Sequence, residues 1–138
     1  MIDPYCNGET CLMRLEKDYE THGSLIVAFD FDNTIYDYHN EGHTFDWTIA
    51  TLKECQKEGF TLILFTSNEG EKLDKCIKYC HDLGLKDFFV NESPVNKGQR
   101  KPYYNILLDD RAGLGLALSI LRRLLFDIAK RNRGKIDG

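Results

Sequence analysis

The chain lacks any apolar run long enough to cross a bilayer. Its longest uninterrupted stretches, such as Leu25 to Phe29, are a fraction of the roughly 20 residues a spanning helix requires, so an integral helical membrane protein is excluded. The opening residues MIDPYCNGET carry neither a basic start nor an apolar core. No secretory leader is therefore expected, and the expected compartment is the cytoplasm. A disulfide framework is lacking too: the five cysteines, Cys6, Cys11, Cys55, Cys76 and Cys80, are an odd and scattered set that fits free thiols in a reducing environment. There is no excess of positive charge. A formal net charge of −4 gives no global attraction for nucleic acid and leaves only a local basic patch as a route to it. Internal repeats and low-complexity segments are absent as well, and 138 residues with ordinary apolar content make one globular domain, 1–138.

What is present is organised around Leu25 to Thr34, LIVAFDFDNT. Five apolar residues preceded by a Gly-Ser turn read as a strand buried on both faces of a parallel sheet. The strand ends on Asp30 and Asp32, which alternation places on one side, with Thr34 continuing the line. Two such carboxylates repel and call for a cation, and oxygen-only ligands point to magnesium rather than zinc. Capping of the following turn is the plainer account of the pair.

Before this strand, residues 1–23 form a polar lead-in with a short amphipathic helix over Glu9 to Tyr19. Cys6 and Cys11 lack the second pair that a zinc knuckle needs. After it, Ile35 to Thr44 reads as a flap rich in Tyr, His, Asn and Gly beside the acids. His39 and His43 are candidates there for a metal ligand or base, against the plainer reading of exposed loop histidines. Phe45 to Glu58 is a helix carrying Trp47, Ile49, Leu52 and Cys55 and closed by Gly59. Phe60 to Phe65 is a second buried strand, ending on Thr66, Ser67 and Asn68. Gly70 to Leu85 is a helix with Leu73, Ile77, Cys80 and Leu83 on its inner stripe, where Cys76 and Cys80 are read as core rather than metal ligands. A short strand at Phe88 to Val90, a loop with Lys97, Arg100 and Lys101, and a fourth strand at Asn105 to Leu108 follow. That last strand also ends on acids, Asp109 and Asp110. A long helix, 112–133, closes the chain with a basic end (Lys130, Arg131, Arg133, Lys135), read as complementing the helix dipole.

This strand–helix alternation predicts an α/β three-layer sandwich around a mostly parallel, Rossmann-like sheet. Ligands of such sheets bind beyond the carboxyl ends of the strands. Asp30/Asp32, Thr66/Ser67 and Asp109/Asp110 are expected to converge at that rim, with Lys97 or Lys101 supplied by the loop before the last strand.

These four elements, in this order over residues 25–112, resemble the haloacid dehalogenase (HAD) superfamily of hydrolases. The DxDxT motif matches Asp30-Phe31-Asp32-Asn33-Thr34, the second motif Thr66, the third Lys101 or Lys97, and the fourth Asp109-Asp110. The resemblance implies a phosphatase in which Asp30 is the nucleophile, Asp32 the general acid and base, and Thr66 and Lys101 the holders of the phosphoryl group. It implies magnesium held by Asp30, the Asp32 carbonyl, Asp109 and Asp110. Asn33, Thr34, Ser67, Asn68 and Lys97 are the residues expected around the substrate. Neither gap between motifs can hold the cap domain that many family members carry, so the site is expected to be open, or lidded by a second subunit. The implied substrate is a small metabolite, a nucleotide or a nucleic-acid 3′-phosphate. Asp109-Asp110-Arg111 is similar to the run in phosphatase domains acting on polynucleotide 3′ ends, and no membrane partner is expected. Two other readings are a receiver-like phospho-accepting domain and a catalytically idle HAD-like binding module. No aspartate ends the second or third strand, where a receiver would place its acceptor.

Overall fold

Two turn-bounded apolar runs form the centre of the molecule. Strands β1 (Ile26–Asp30) and β2 (Thr61–Phe65) each bury three consecutive residues, Val27 to Phe29 and Leu62 to Leu64. Burial on successive residues requires cover on both faces, the condition of an interior parallel strand. In the computed structural model, which describes residues 3–137 and side chains through residue 134, these strands pair in parallel with Ile26 opposite Thr61 and Asp30 opposite Phe65. Short strands β3 (Phe89–Val90) and β4 (Ile106–Leu108) complete an all-parallel sheet of order β3-β2-β1-β4.

Among the described residues four α-helices flank the sheet in a Rossmann-like three-layer arrangement: α1 (Gly8–His22), α2 (Asp46–Lys57), α3 (Gly70–Asp82) and α4 (Leu114–Asp137). The Asn7 side chain starts α1 by accepting from the Glu9 and Thr10 amides, satisfying two otherwise orphaned donors. Gly23 ends α1 with φ of 72°, a left-handed conformation that a side chain would disfavour. α4 packs on both α1 and α2 through Leu118, Leu121, Leu124, Leu125 and Ile128, which are spaced to share one helical face. Cys55, Cys76 and Cys80 lie in the core, as their positions on the helical stripes predict. Among the described residues no helix is long and apolar enough to cross a membrane.

Packing details two segments that the sequence left open. Trp47 is 67% exposed. The buried face of α2 is Thr48, Thr51, Leu52 and Cys55, at helical spacings that count two threonines as core and leave Trp47 about 100° off the stripe. There Trp47 lies under the Arg122 guanidinium, 5.6 Å from ring centroid to Cζ, while Arg122 also donates to the Thr51 hydroxyl at 2.9 Å. The flap is likewise more anchored than a free loop. Ile35 is wholly buried, and the Asp37 carboxylate accepts from the Gly42 and His43 amides at 2.7 and 3.1 Å.

The basic end of α4 stands far from the rim that carries the acids, since the helix runs away from it at about 1.5 Å per residue. Arg131 there is 3.8 Å from Glu20 of α1, and the Lys135 side chain lies outside the described residues.

Candidate active site

Strand order dictates where the acids meet. The chain steps from β1 to β2 to β3 in one direction and then crosses back to lay β4 on the other side of β1. The reversal lies between β1 and β4, and the crevice beyond their carboxyl ends is where open α/β sheets bind ligands. The register is pinned at the opposite end by Asn105. Its side-chain oxygen accepts from the Ile26 amide at 2.7 Å, and its own amide donates to the Ile26 carbonyl at 2.8 Å. From there Phe29 pairs with Leu108, so the next residues, Asp30 and Asp109, come level as the strands end.

The carboxylates of Asp30, Asp109 and Asp110 consequently converge, each offering an oxygen within 4.8 Å of the others. Burial, reinforced by the charges of Asp109 and Asp110, pushes the Asp30 carboxyl up to about 7. Asp32 is also raised, first by burial and then by Asp110, but its carboxylate lies outside the three-acid group. An all-oxygen donor set that suppresses its own ionisation fits a hard divalent cation, which would restore the charged form. The sequence expectation that Asp30, Asp109 and Asp110 meet at one rim is met. Among the described residues His39 and His43 take no part in this cluster.

Thr34 lies within the site but not as a substrate contact. It is fully buried, and its hydroxyl accepts from the Asp110 amide at 3.1 Å, so it positions the acid turn instead of facing a ligand. Asn33 shapes the turn after β1. It adopts a φ of 55°, donates its amide to the Tyr36 carbonyl at 2.7 Å and accepts from the Tyr38 amide at 3.3 Å. Replacing Thr34 by valine keeps the shape and removes the acceptor. We expect a loss of about 1 kcal/mol of stability, with weaker divalent-cation binding because the Asp110 turn loses its tether. Thermal unfolding with and without magnesium checks both effects.

Thr66 follows β2 at the same rim. Its hydroxyl oxygen accepts from the Asn68 amide at 3.1 Å, leaving its proton available to a ligand. Asn91, just past β3, clamps this residue from both sides: its side chain accepts from the Thr66 amide and donates to the Thr66 carbonyl, both at 2.9 Å. Sequence reasoning missed Asn91; the one local signal was an asparagine directly after a strand, where it adopts a φ of 55°. Ser67 is exposed, and the Asn68 side chain donates to the Cys76 sulfur at 3.3 Å.

The lysines expected from the last loop are not ion-paired with the acids. Lys97 and Lys101 are exposed, and among the described residues neither forms an ion pair with the acids. Lys101 borders a groove with Gln99 and Tyr104, while Tyr103 lines a cavity with Leu25, Ile26 and Thr61 at the opposite end of the strands. β4 itself begins at the edge away from the acids, yet the Tyr104 ring just ahead of it packs on Phe65 at the acid-bearing end of β2, with centroids 5.8 Å apart. The lysines that do share a cavity with Asp32 are Lys72 and Lys75 of α3.

No protein-family model and no curated protein matches the chain. Among solved structures it is similar to a conserved protein from Bacteroides thetaiotaomicron, 30% identical, with a TM-score of 0.60 over 72% of this chain and 91% of that one.

Proposed function

We propose that this chain, which belongs to the same family as the conserved Bacteroides thetaiotaomicron protein, is a magnesium-dependent phosphohydrolase of the haloacid dehalogenase type acting on a phosphomonoester. The observation that carries the reading is the meeting of Asp30, Asp109 and Asp110 within 4.8 Å at the strand-order reversal, with Asp32 one residue pair further on.

The chemistry assigns each group a part. An Asp30 carboxylate oxygen forms a bond to phosphorus as the bond to the leaving oxygen breaks, giving an aspartyl phosphate and dividing one difficult displacement into two. Asp32 delivers its proton to the leaving oxygen; its upward shift favours the protonated form that this step needs. It then takes a proton from water as the water oxygen bonds to phosphorus, the aspartyl–phosphorus bond breaks, and Asp30 returns as a carboxylate with inorganic phosphate. Asp30, Asp109, Asp110 and the Asp32 carbonyl would hold magnesium, whose positive charge would offset repulsion between the anionic nucleophile and the anionic ester. The Thr66 hydroxyl, fixed by Asn91 and Asn68, donates to a phosphoryl oxygen where charge develops. Thr34 acts through Asp110 as a positioning residue.

The test is release of phosphate from an aryl phosphate in the presence of magnesium and again with chelator. Turnover that requires the cation supports the reading; a rate indifferent to chelation would sink it.

A further inference from the structure

The site continues into an open groove of about 570 Å³ that begins at Asp32 and runs between the flap and α3. Because Asp32 is the residue assigned to protonate the leaving oxygen, whatever fills this groove is attached to that oxygen. One wall is aromatic. Tyr36 stacks on Phe31 with centroids 5.1 Å apart at 19°, and Tyr79 braces it edge-on at 5.2 Å and 90°. Tyr36 is held rigidly yet remains 39% exposed, and Tyr38 beside it is 61% exposed. A braced, exposed ring is a platform for another planar ring.

The facing wall is cationic. Lys72 and Lys75 lie three residues apart on α3, hence on one face, and among the described residues neither is in an ion pair. Two unengaged ammonium groups in a chain of net charge −4 mark a place where local charge opposes the global balance. Ser67 and Asn68 close the floor with polar groups. The volume falls in the range of small-molecule sites.

We propose, on the phosphohydrolase reading, that the substrate is a nucleotide carrying two separate phosphates: one is hydrolysed at Asp30, the base lies on Tyr36 and Tyr38, and the second phosphate sits between Lys72 and Lys75. A leaving group that is both planar and anionic satisfies both walls, whereas a sugar phosphate or a small acyl phosphate satisfies neither.

The experiment compares adenosine 3′,5′-bisphosphate, acetyl phosphate and an acidic phosphotyrosyl peptide as substrates of the full chain with magnesium. The wild type is expected to prefer the bisphosphate over acetyl phosphate by about 100-fold in kcat/KM, combining stacking and charge pairing. In Lys72→Ala/Lys75→Ala, KM for the bisphosphate should rise about tenfold with kcat within about twofold, so that the preference falls by the same factor. Tyr38→Ala should lower the preference too. Since these side chains are exposed, thermal unfolding of each variant should match the wild type. The proposal is overturned if the bisphosphate is no better than acetyl phosphate, if the double variant leaves the preference intact, or if the peptide is the best substrate. Absence of turnover on all three would overturn the phosphohydrolase reading itself, and this inference with it.

Discussion

Asp30→Asn will lose turnover by at least about three orders of magnitude while folding as well as the wild type. The substitution keeps the size and planarity of the side chain but replaces the carboxylate proposed as nucleophile by an amide, which forms no aspartyl phosphate; loss of a covalent nucleophile typically costs far more than loss of a binding contact. The fold should not suffer, because burial, together with the charges of Asp109 and Asp110, already pushes the Asp30 carboxyl up to about 7, so its charged form is disfavoured in the folded chain. Removing the charge relieves that penalty. Phosphate release and thermal unfolding, measured on the same preparation, separate the two effects: near-wild-type activity in this variant excludes Asp30 as nucleophile, whereas loss of activity with loss of the melting transition would show a merely structural role.

Magnesium will raise the melting temperature by roughly 5–10 °C at neutral pH, taking a cation at about a hundred times its Kd to contribute about 2.7 kcal/mol. The sign of the pH dependence follows from Asp30. Its carboxyl is raised in the folded chain from 3.8 to about 7, so the native state holds a proton that the unfolded state releases over that interval. Stability from this group is fully present below the unfolded value and is lost as pH rises through the folded one. Without metal the protein should therefore weaken between about pH 4 and 7. Because Asp30 is only partly shielded from water, its own share is held to about 1–2 kcal/mol. Magnesium displaces the proton and reverses the trend, so the gap between loaded and chelated melting temperatures should widen as pH rises. Asp110→Asn should raise the metal-free melting temperature at neutral pH and abolish the response to magnesium. A gap that stays constant with pH, or an Asp110→Asn protein that still responds, would contradict the three-acid cation site.

What was legible in the sequence is what local pattern encodes. An apolar run ending on Asp30-Phe31-Asp32 announces a buried strand with acids at its tip, because strand side chains alternate and burial on both faces suppresses polar residues until the strand leaves the sheet. Helical periodicity likewise marks α1, α3 and α4, and their alternation with strands limits the chain to a parallel three-layer fold. In α2 apolar residue type alone does not mark the buried face: the helix buries Thr48 and Thr51, and Trp47 turns outward to Arg122.

The sequence by itself thus determined the fold class, the strands that carry the acids and the rim at which Asp30, Asp109 and Asp110 meet. Tertiary structure alone decided which side chains serve that rim, because those partnerships join residues far apart in the chain and leave no local periodic trace. Thr34 reaches the Asp110 amide across 76 positions. Asn91 fixes Thr66 across 25 positions, and Phe31, Tyr36 and Tyr79 assemble one aromatic wall from the turn after β1, the flap and α3. The lysines that line the groove at Asp32 come from α3, which starts at the rim.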